Sequence, residues 1–347
     1  MYSIYILFSI IIILCISLII QIKGKITLFP TFLITILILY FLLNPNACIK
    51  ASLDGAKLFV QAVLPTILPF MVLCNLLIAY GGIDIYSKLL GPILCSPLKL
   101  SKNSSFPLIA SMICGNPLGA KYSTDAYEQG YYDYKEYSRM ISIASNTGPL
   151  FLIGSVGSVM LGDKKLGYVL LLGNYLSMFL MALITSQKKK YLTKKKLVPD
   201  NKVINNFGTN LKNSIENATL TSLNVAAYIM IFSVIISIFN NSTFFNESIK
   251  NISNLFNISS EMIKGLLLGM IEITNGSNII ANSSMSINFK VSLISFLCSF
   301  SGLSVLAQIS SFSSKYKVPM TKFFMYKLLQ GVISFFITYV FLIISYF

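Results

Sequence analysis

The feature that most constrains this chain is a series of long apolar segments interrupted by short polar stretches that contain glycine. One break, at residues 145–149, reads Ser-Asn-Thr-Gly-Pro, and a second, at 299–304, reads Ser-Phe-Ser-Gly-Leu-Ser. Each follows an earlier glycine-bearing break, at 114–121 and at 272–276 respectively. Inside a bilayer, backbone released from a helix must be buried in protein or line a polar cavity. Paired breaks in two halves of a chain therefore predict the solute site of a transporter.

The composition indicates an integral membrane protein. Of the 347 residues, 55% are hydrophobic and 11% are charged, whereas soluble domains have about 25% charged residues. Because a span needs about 20 apolar residues, the apolar runs predict a polytopic all-α protein, although 106–119 and 262–273 are short for full spans. The runs lie at 1–22, 26–43, 58–80, 83–100, 106–119, 140–161, 166–185, 220–239, 262–273, 291–311 and 323–347.

The two sets of breaks predict two pseudo-symmetric repeats, each containing broken helices and a re-entrant hairpin. Residues 121–139 and 240–257 are interpreted as polar connections between apolar pieces. The first run has no basic stretch before it and no cleavage site after it, so it predicts a retained helix. The expected organisation is an N-terminal transmembrane hairpin (1–45), a first repeat (52–186), a basic cytoplasmic linker (187–209) and a second repeat (210–347).

The net charge of +15 comes from lysines rather than from a basic domain, since Arg139 is the sole arginine. Lysines crowd residues 188–202, which is typical of a cytoplasmic loop. A nucleic-acid partner is not expected, because no soluble basic domain exists to contact phosphates. Histidine is absent and the six cysteines form no paired motif, so neither a metal site nor a cofactor is predicted.

Two charged residues at the breaks are the first candidates for binding a solute. Glu272 ends an apolar segment, and an acidic group there is costly and by default indicates function. It would bind a proton, a cation or a substrate donor, or else it would hydrogen-bond a neighbouring helix. Lys121 would neutralise an anionic substrate, or it would be a lysine that extends to the interface at the end of a span.

The remaining candidates are neutral groups and glycines at the breaks. Helix N-termini at such breaks offer free N–H groups that bind carboxylates or phosphates. Interhelical hydrogen bonding is the alternative role for the hydroxyl and amide side chains. The predicted substrate-binding residues besides Glu272 and Lys121 are Asn116, Gly119, Asn146, Thr147, Thr274, Asn275, Ser301, Gly302, Ser304 and Gln308.

An enzymatic function is not expected. Ser304 lies in a Gly-Leu-Ser-Val sequence that superficially suggests a serine nucleophile. A serine nucleophile needs a base within reach, and the chain has no histidine to serve as one. A membrane hydrolase is therefore a distant alternative.

Several motifs together resemble a known family. They are Leu-Pro-Thr-Ile-Leu-Pro-Phe at 64–70, Gly-Asn-Pro-Leu-Gly-Ala-Lys at 115–121, Pro-Leu-Phe at 149–151, Asn-Tyr-Leu-Ser at 174–177, and the second-half segments 272–276 and 302–308. This set is similar to the YlbJ or SpoVV family of sporulation integral membrane proteins in endospore-forming Firmicutes. That family resembles the nucleoside recognition or gate-domain proteins, whose fold is similar to concentrative nucleoside transporters.

The resemblance implies export of dipicolinic acid, a small aromatic dianion, across the outer forespore membrane during cortex formation. The mechanism expected is alternating access around a midplane site formed by the four breaks. Lys121 and the helix N-termini would hold the anion, and Glu272 would serve as a proton or cation site or would orient the substrate. Lys121→Ala and Glu272→Gln are then expected to abolish flux without preventing membrane insertion. The alternatives are a transporter of nucleosides or another metabolite, and a non-transporting scaffold that recruits sporulation proteins through residues 188–202. The coupling ion and the oligomeric state stay open.

Overall fold

The structure is a computed structural model that describes residues 28–186 and 206–345. Within these residues every regular element is helical, so the all-α class predicted from the sequence is confirmed. The first run and nearly all of the basic linker lie outside the described residues. The α-helices of the first half are α1 (Leu28–Leu43), α2 (Pro45–Leu58), α3 (Leu64–Ala79), α4 (Gly82–Leu89), α5 (Gly91–Leu94), α6 (Ser105–Cys114), α7 (Leu118–Glu128), α8 (Tyr134–Ile143) and α9 (Lys164–Ile184).

The second half contains seven α-helices among the described residues. They are α10 (Phe207–Asn241), α11 (Thr243–Phe256), α12 (Ser260–Ile271), α13 (Ile273–Ala281), α14 (Ile287–Phe300), α15 (Gly302–Ser313) and α16 (Met320–Ser345). Two π-helices (Phe59–Val63 and Leu150–Met160) and two 3-10 helices (Lys102–Ser104 and Ser314–Tyr316) complete the described elements.

The two halves share an order of elements. A longer helix (α3 or α10) is followed by an amphipathic helix (α4 or α11), with the short α5 added in the first half, and then by a tight hairpin (α6–α7 or α12–α13). A broken helix comes next, formed by α8 with the π-helix Leu150–Met160 or by α14 with α15, and each half closes with a span (α9 or α16). This order matches the predicted pair of repeats with hairpins and broken helices.

Four helices are long and apolar enough to cross a membrane within the described part of the chain, and the number rises to six if each of two bent pairs is one span. The first bent pair joins Pro30–Leu43 to Pro45–Gln61 at 105°. The described part of the predicted N-terminal hairpin is thus a helix that turns sharply into α2. The four helices are Lys164–Ile184, Phe207–Asn241, Ile287–Tyr316 and Met320–Ile344.

Both polar connections are largely helical, with a turn at residues 129–133 between α7 and α8. Residues 243–256 form α11, an amphipathic helix that buries Ile249 and exposes polar residues together with Phe244 and Leu255. Helix α10 also begins at Phe207, so the last residues assigned to the linker are helical. Polarity of this kind is compatible with a helix, because an amphipathic helix can contain as many polar as apolar residues.

The first polar connection is buried because its charged groups find partners inside the protein. The Glu136 carboxylate accepts hydrogen bonds from Ser101 N at 2.6 Å and from Ser104 Oγ at 2.7 Å. The Arg139 guanidinium donates to backbone carbonyls of the 98–99 turn and of α9. Since buried polar groups are tolerated when they are hydrogen-bonded, α7 and α8 can pack within the protein and position the breaks at their ends.

Candidate functional site

The hairpin of the first half turns where its backbone touches the first broken helix. Gly115 has a φ of +80°, and a Cβ atom added to it would lie 2.2 Å from Gly148 N. Only glycine tolerates both this conformation and this approach. The sequence Cys-Gly-Asn-Pro therefore fixes the tip of the α6–α7 hairpin against the break at residues 145–149.

The hairpin of the second half turns at Glu272, which caps α13. Its carboxylate accepts hydrogen bonds from Thr274 N, from Asn275 N and from Asn275 Nδ2, each at 2.9 Å. The α12–α13 packing is close, because a Cβ on Gly276 would lie 2.1 Å from Gly269 Cα. An anionic cap at a helix N-terminus is favourable because it satisfies unpaired N–H groups and the helix dipole.

The broken helix of the second half contains two consecutive residues in the left-handed region. Ser301 has a φ of +76° and Gly302 a φ of +72°, and they separate α14 from α15. No side chain caps the N-terminus of α15. Its first-turn N–H groups therefore remain available to an anionic or carbonyl group at the break.

Direct hydrogen bonds join the breaks of the two halves. Asn116 Nδ2, at the first hairpin tip, donates to Ser301 Oγ at 2.9 Å. Thr147 Oγ1, in the first broken helix, donates to Cys298 O at 2.6 Å. These contacts bring together residues that are more than 150 positions apart in the sequence, and they make the breaks one structural unit.

Residues from all four breaks line a cavity of about 410 Å³. This volume lies within the range of roughly 300–1,000 Å³ that is typical of small-molecule sites. Much of the wall is apolar and comes from α2, α3, the π-helix Leu150–Met160 and α10. The polar and charged side chains on the wall are Asn116, Thr147, Ser155, Glu272, Thr274, Ser301, Ser304 and Gln308.

Seven of the twelve residues predicted from the sequence thus line the cavity: Asn116, Thr147, Glu272, Thr274, Ser301, Ser304 and Gln308. The other five, Gly119, Lys121, Asn146, Asn275 and Gly302, do not line it. Asn275 supports the carboxylate of Glu272, and Gly119 packs so closely that a Cβ would lie 2.1 Å from Ala144 O. These residues shape the breaks from behind the cavity wall.

Lys121 is the predicted residue whose position differs most from the expectation. Its ammonium forms an ion pair with Asp125 Oδ2 at 2.8 Å, one helical turn further along α7. The side chain is buried against this partner and does not line the cavity. The geometry therefore does not place Lys121 where a solute in the cavity would contact its charge.

Two polar residues of α16 are close to the site although the sequence reasoning passed over them. Lys327 and Gln330 are both buried. Lys327 Nζ donates to Ser145 O and, at 2.7 Å, to Gln330 Oε1, while Gln330 Nε2 donates to Asn146 Oδ1 at 3.0 Å. A lysine inside the apolar run 323–347 was the available signal, because ionisable residues inside spans usually mark function.

The cavity is suited to binding a polar solute. Asn116 Oδ1 is buried without a hydrogen-bond partner, so it can accept a bond from a ligand. Among the described residues no group of three or more His, Cys, Asp or Glu side chains could hold a metal ion.

The chain is similar in sequence to known proteins. Residues 60–186 match the family model described as "Gate: Nucleoside recognition". The chain is 28% identical over 310 residues to the sporulation integral membrane protein YlbJ of Bacillus subtilis, covering 83% of this chain and 76% of that protein.

Solved structures of CNTnw are also similar. An outward-facing double variant aligns with a TM-score of 0.48 and 14% identity over 88% of this chain and 85% of that one. An inward-facing substrate-bound state aligns with a TM-score of 0.41 and 15% identity over 88% and 84%. The resemblance expected from the sequence is confirmed as a similarity: residues 60–186 match the nucleoside-recognition Gate model, and most of the chain is similar to the sporulation integral membrane protein YlbJ.

Proposed function

We propose that this chain transports a small polar solute through the cavity between its two halves, and that the solute is dipicolinic acid. The observation that carries the proposal is the convergence of all four breaks on one cavity. Broken helices are tolerated in a membrane where their free backbone groups are buried or face a polar cavity. Binding at such breaks, with alternating exposure to the two sides, is the common plan of secondary transporters.

The cavity offers complementary groups for an aromatic dicarboxylate. The ring would lie against the apolar wall that includes Phe151 and Val305. One carboxylate would accept hydrogen bonds from the uncapped N-terminus of α15 and from the hydroxyls of Ser301 and Ser304. Asn116 Oδ1 would accept a hydrogen bond from a protonated ring nitrogen or a bound water.

The carboxylate of Glu272 makes a companion cation necessary for a dianionic solute. Like charges in a confined site repel strongly, so either a proton on Glu272 or a metal cation would have to enter with dipicolinate. This requirement gives Glu272 the coupling role proposed from the sequence. It also predicts that flux depends on the gradient of that cation as well as on the gradient of the solute.

The proposed location is the outer forespore membrane, where the transporter would carry dipicolinate from the mother cell towards the spore. The support for a role in sporulation is the relationship to YlbJ. The support for a membrane location is the set of apolar helices, whose outward side chains on α9 and α16 are exposed.

A neutral solute rich in hydroxyl groups, such as a nucleoside, is the second candidate. It is favoured by one observation: Glu272 lines the cavity and no described lysine or arginine does. A carboxylate with three occupied acceptor positions still has one free position that could accept a hydrogen bond from a ribose hydroxyl. This solute would need no companion cation for charge balance.

Transport in proteoliposomes distinguishes these functions. We expect purified wild-type protein to accumulate labelled dipicolinate, and excess unlabelled dipicolinate to suppress uptake while uridine and adenosine do not. If labelled nucleosides are taken up and dipicolinate does not suppress their uptake, the solute is a nucleoside and not dipicolinate. Folded protein that moves and binds neither solute would contradict the transporter proposal.

A further inference from the structure

Lys327 is a buried lysine that the proposed binding mode has not used. Its side chain lies in α16 with no exposed surface. Its ammonium donates to Ser145 O and to Gln330 Oε1, both of which are neutral acceptors. None of the ion pairs among the described residues includes Lys327. The positive charge is therefore solvated only by neutral groups.

This charge lies directly behind the cavity wall. The residues from 145 to 148 are non-helical, and Thr147 and Gly148 line the cavity. Two residues of extended chain span at most about 7 Å, so the acceptor at Ser145 is close to that wall. Gln330 strengthens the connection by donating to Asn146 Oδ1 from the same turn of α16.

A buried ammonium without a carboxylate partner favours an anion nearby. At a separation of about 10 Å and an effective dielectric constant of about 20, one unit charge changes anion binding by roughly tenfold. Lys121 cannot have a comparable effect, because Asp125 neutralises it at 2.8 Å. The charge of Lys327 is also close to the C-terminus of α8, where a cation is favoured by the helix dipole.

We propose that Lys327 determines the solute class by attracting anions into the cavity from behind the break at residues 145–149. It acts through space and through the hydrogen-bonded backbone of that break, without touching the solute. The inference rests on the proposed transport through this cavity, and it opposes the selection of neutral solutes. It predicts that an acid binds more tightly than the amide of the same shape.

The test compares acids with their neutral amides on purified protein. Dipicolinate is paired with pyridine-2,6-dicarboxamide, and benzoate with benzamide, and the affinity of each is measured by titration. We expect the wild-type protein to bind the acid more tightly than the amide. In Lys327→Met the ratio of acid affinity to amide affinity should fall about tenfold or more, while amide affinity stays within about twofold of the wild-type value. Lys327→Arg keeps the charge and is expected to restore the preference.

Gln330 supplies the matched controls. Gln330→Met removes the hydrogen bonds to Lys327 and Asn146 but leaves the charge, so the acid preference is expected to remain. Gln330→Glu neutralises the ammonium without removing it and is expected to lower the preference. This second variant keeps the test valid if Lys327→Met does not fold.

The possible results separate the two proposals. Equal loss of acid and amide binding in Lys327→Met and Gln330→Glu, or a wild-type protein without acid preference in either pair, would overturn the selection by charge. A wild-type preference for benzoate that both neutralising variants abolish, without any uptake of dipicolinate, would support the role of Lys327 while contradicting dipicolinate as the solute.

Discussion

The two hairpins of this protein reach the same cavity by different chemistry. The first hairpin turns through Gly115 and presents the neutral amide of Asn116. The second turns through Glu272, whose carboxylate occupies the N-terminus of α13. The two halves share an order of elements, but the hairpin tip is neutral in the first half and anionic in the second.

The closing spans repeat this contrast. In α9 the amide Asn174 donates to Ser299 Oγ at 3.1 Å, whereas α16 places the ammonium of Lys327 on Ser145 O. In the first half Lys121 and Asp125 neutralise each other. At the breaks the first half therefore contributes neutral hydrogen-bonding groups, and the second half contributes the charged groups Glu272 and Lys327.

The largest expected effect comes from filling the close approaches that both hairpins share. Gly115→Ala and Gly276→Ala would each press a Cβ into backbone atoms at 2.2 and 2.1 Å, so we expect losses of at least about 3 kcal/mol in unfolding free energy. Thermal unfolding in detergent measures this. Gly154→Ala is the control, because its nearest neighbour would lie at 3.8 Å. If either hairpin variant unfolds at the wild-type temperature, the hairpins do not share this packing.

The charge difference between the hairpin tips is tested by Glu272→Gln. Glutamine cannot accept all three hydrogen bonds that the carboxylate accepts, so we expect dipicolinate uptake to fall at least about tenfold. Glu261→Gln removes an exposed acid from the first turn of α12 and is expected to transport normally. Normal uptake by Glu272→Gln would show that the anionic tip is not needed.

The contrast is sharpened by Lys121, for which the sequence predicted a role in holding the anion. Because its partner is Asp125 and not the cavity, we expect Lys121→Met to lower the unfolding free energy by about 1–3 kcal/mol. Uptake per folded protein should change less than about twofold. Adding Asp125→Leu removes the unpaired acid and should recover stability. If Lys121→Met lost uptake while keeping wild-type stability, Lys121 would be part of the solute site.

The smallest expected effect concerns the hydrogen bond that joins the two halves. Asn116→Ala, Ser301→Ala and the double variant form a cycle whose coupling energy we expect to be about 0.5–1.5 kcal/mol. Urea-dependent unfolding measures the three changes. A coupling energy of zero would mean that the first hairpin tip and the second broken helix are energetically independent.

The sequence was sufficient to predict the breaks and the anionic tip. Glu272 was identified because acidic residues are unusual inside apolar segments, and Gly302 because it lies among serines that interrupt an apolar run. The pairing of Lys121 with Asp125 was also accessible, since residues four apart are neighbours on a helix. Its importance was missed because polarity between residues 121 and 139 was interpreted as a connection, whereas burial depends on partners supplied by distant segments.

Contacts between distant segments could not be predicted from local patterns. The bond from Thr147 to Cys298 O joins residues 151 positions apart, and nothing in either segment specifies the other. The bond from Lys327 to Ser145 O is similar, at 182 positions. Such pairs depend on the packing of whole helices, and packing fixes which breaks meet in the cavity.

The central claim, that the four breaks form the solute site, is tested most directly at Cys114. It lines the cavity and is the described cysteine that is not fully buried. Its alkylation by a small maleimide is followed by mass spectrometry with and without saturating dipicolinate, and Glu261→Cys reports a surface outside the cavity. We predict that the solute slows alkylation of Cys114 and leaves residue 261 unaffected. Unchanged alkylation of Cys114 while dipicolinate is being transported would contradict the account.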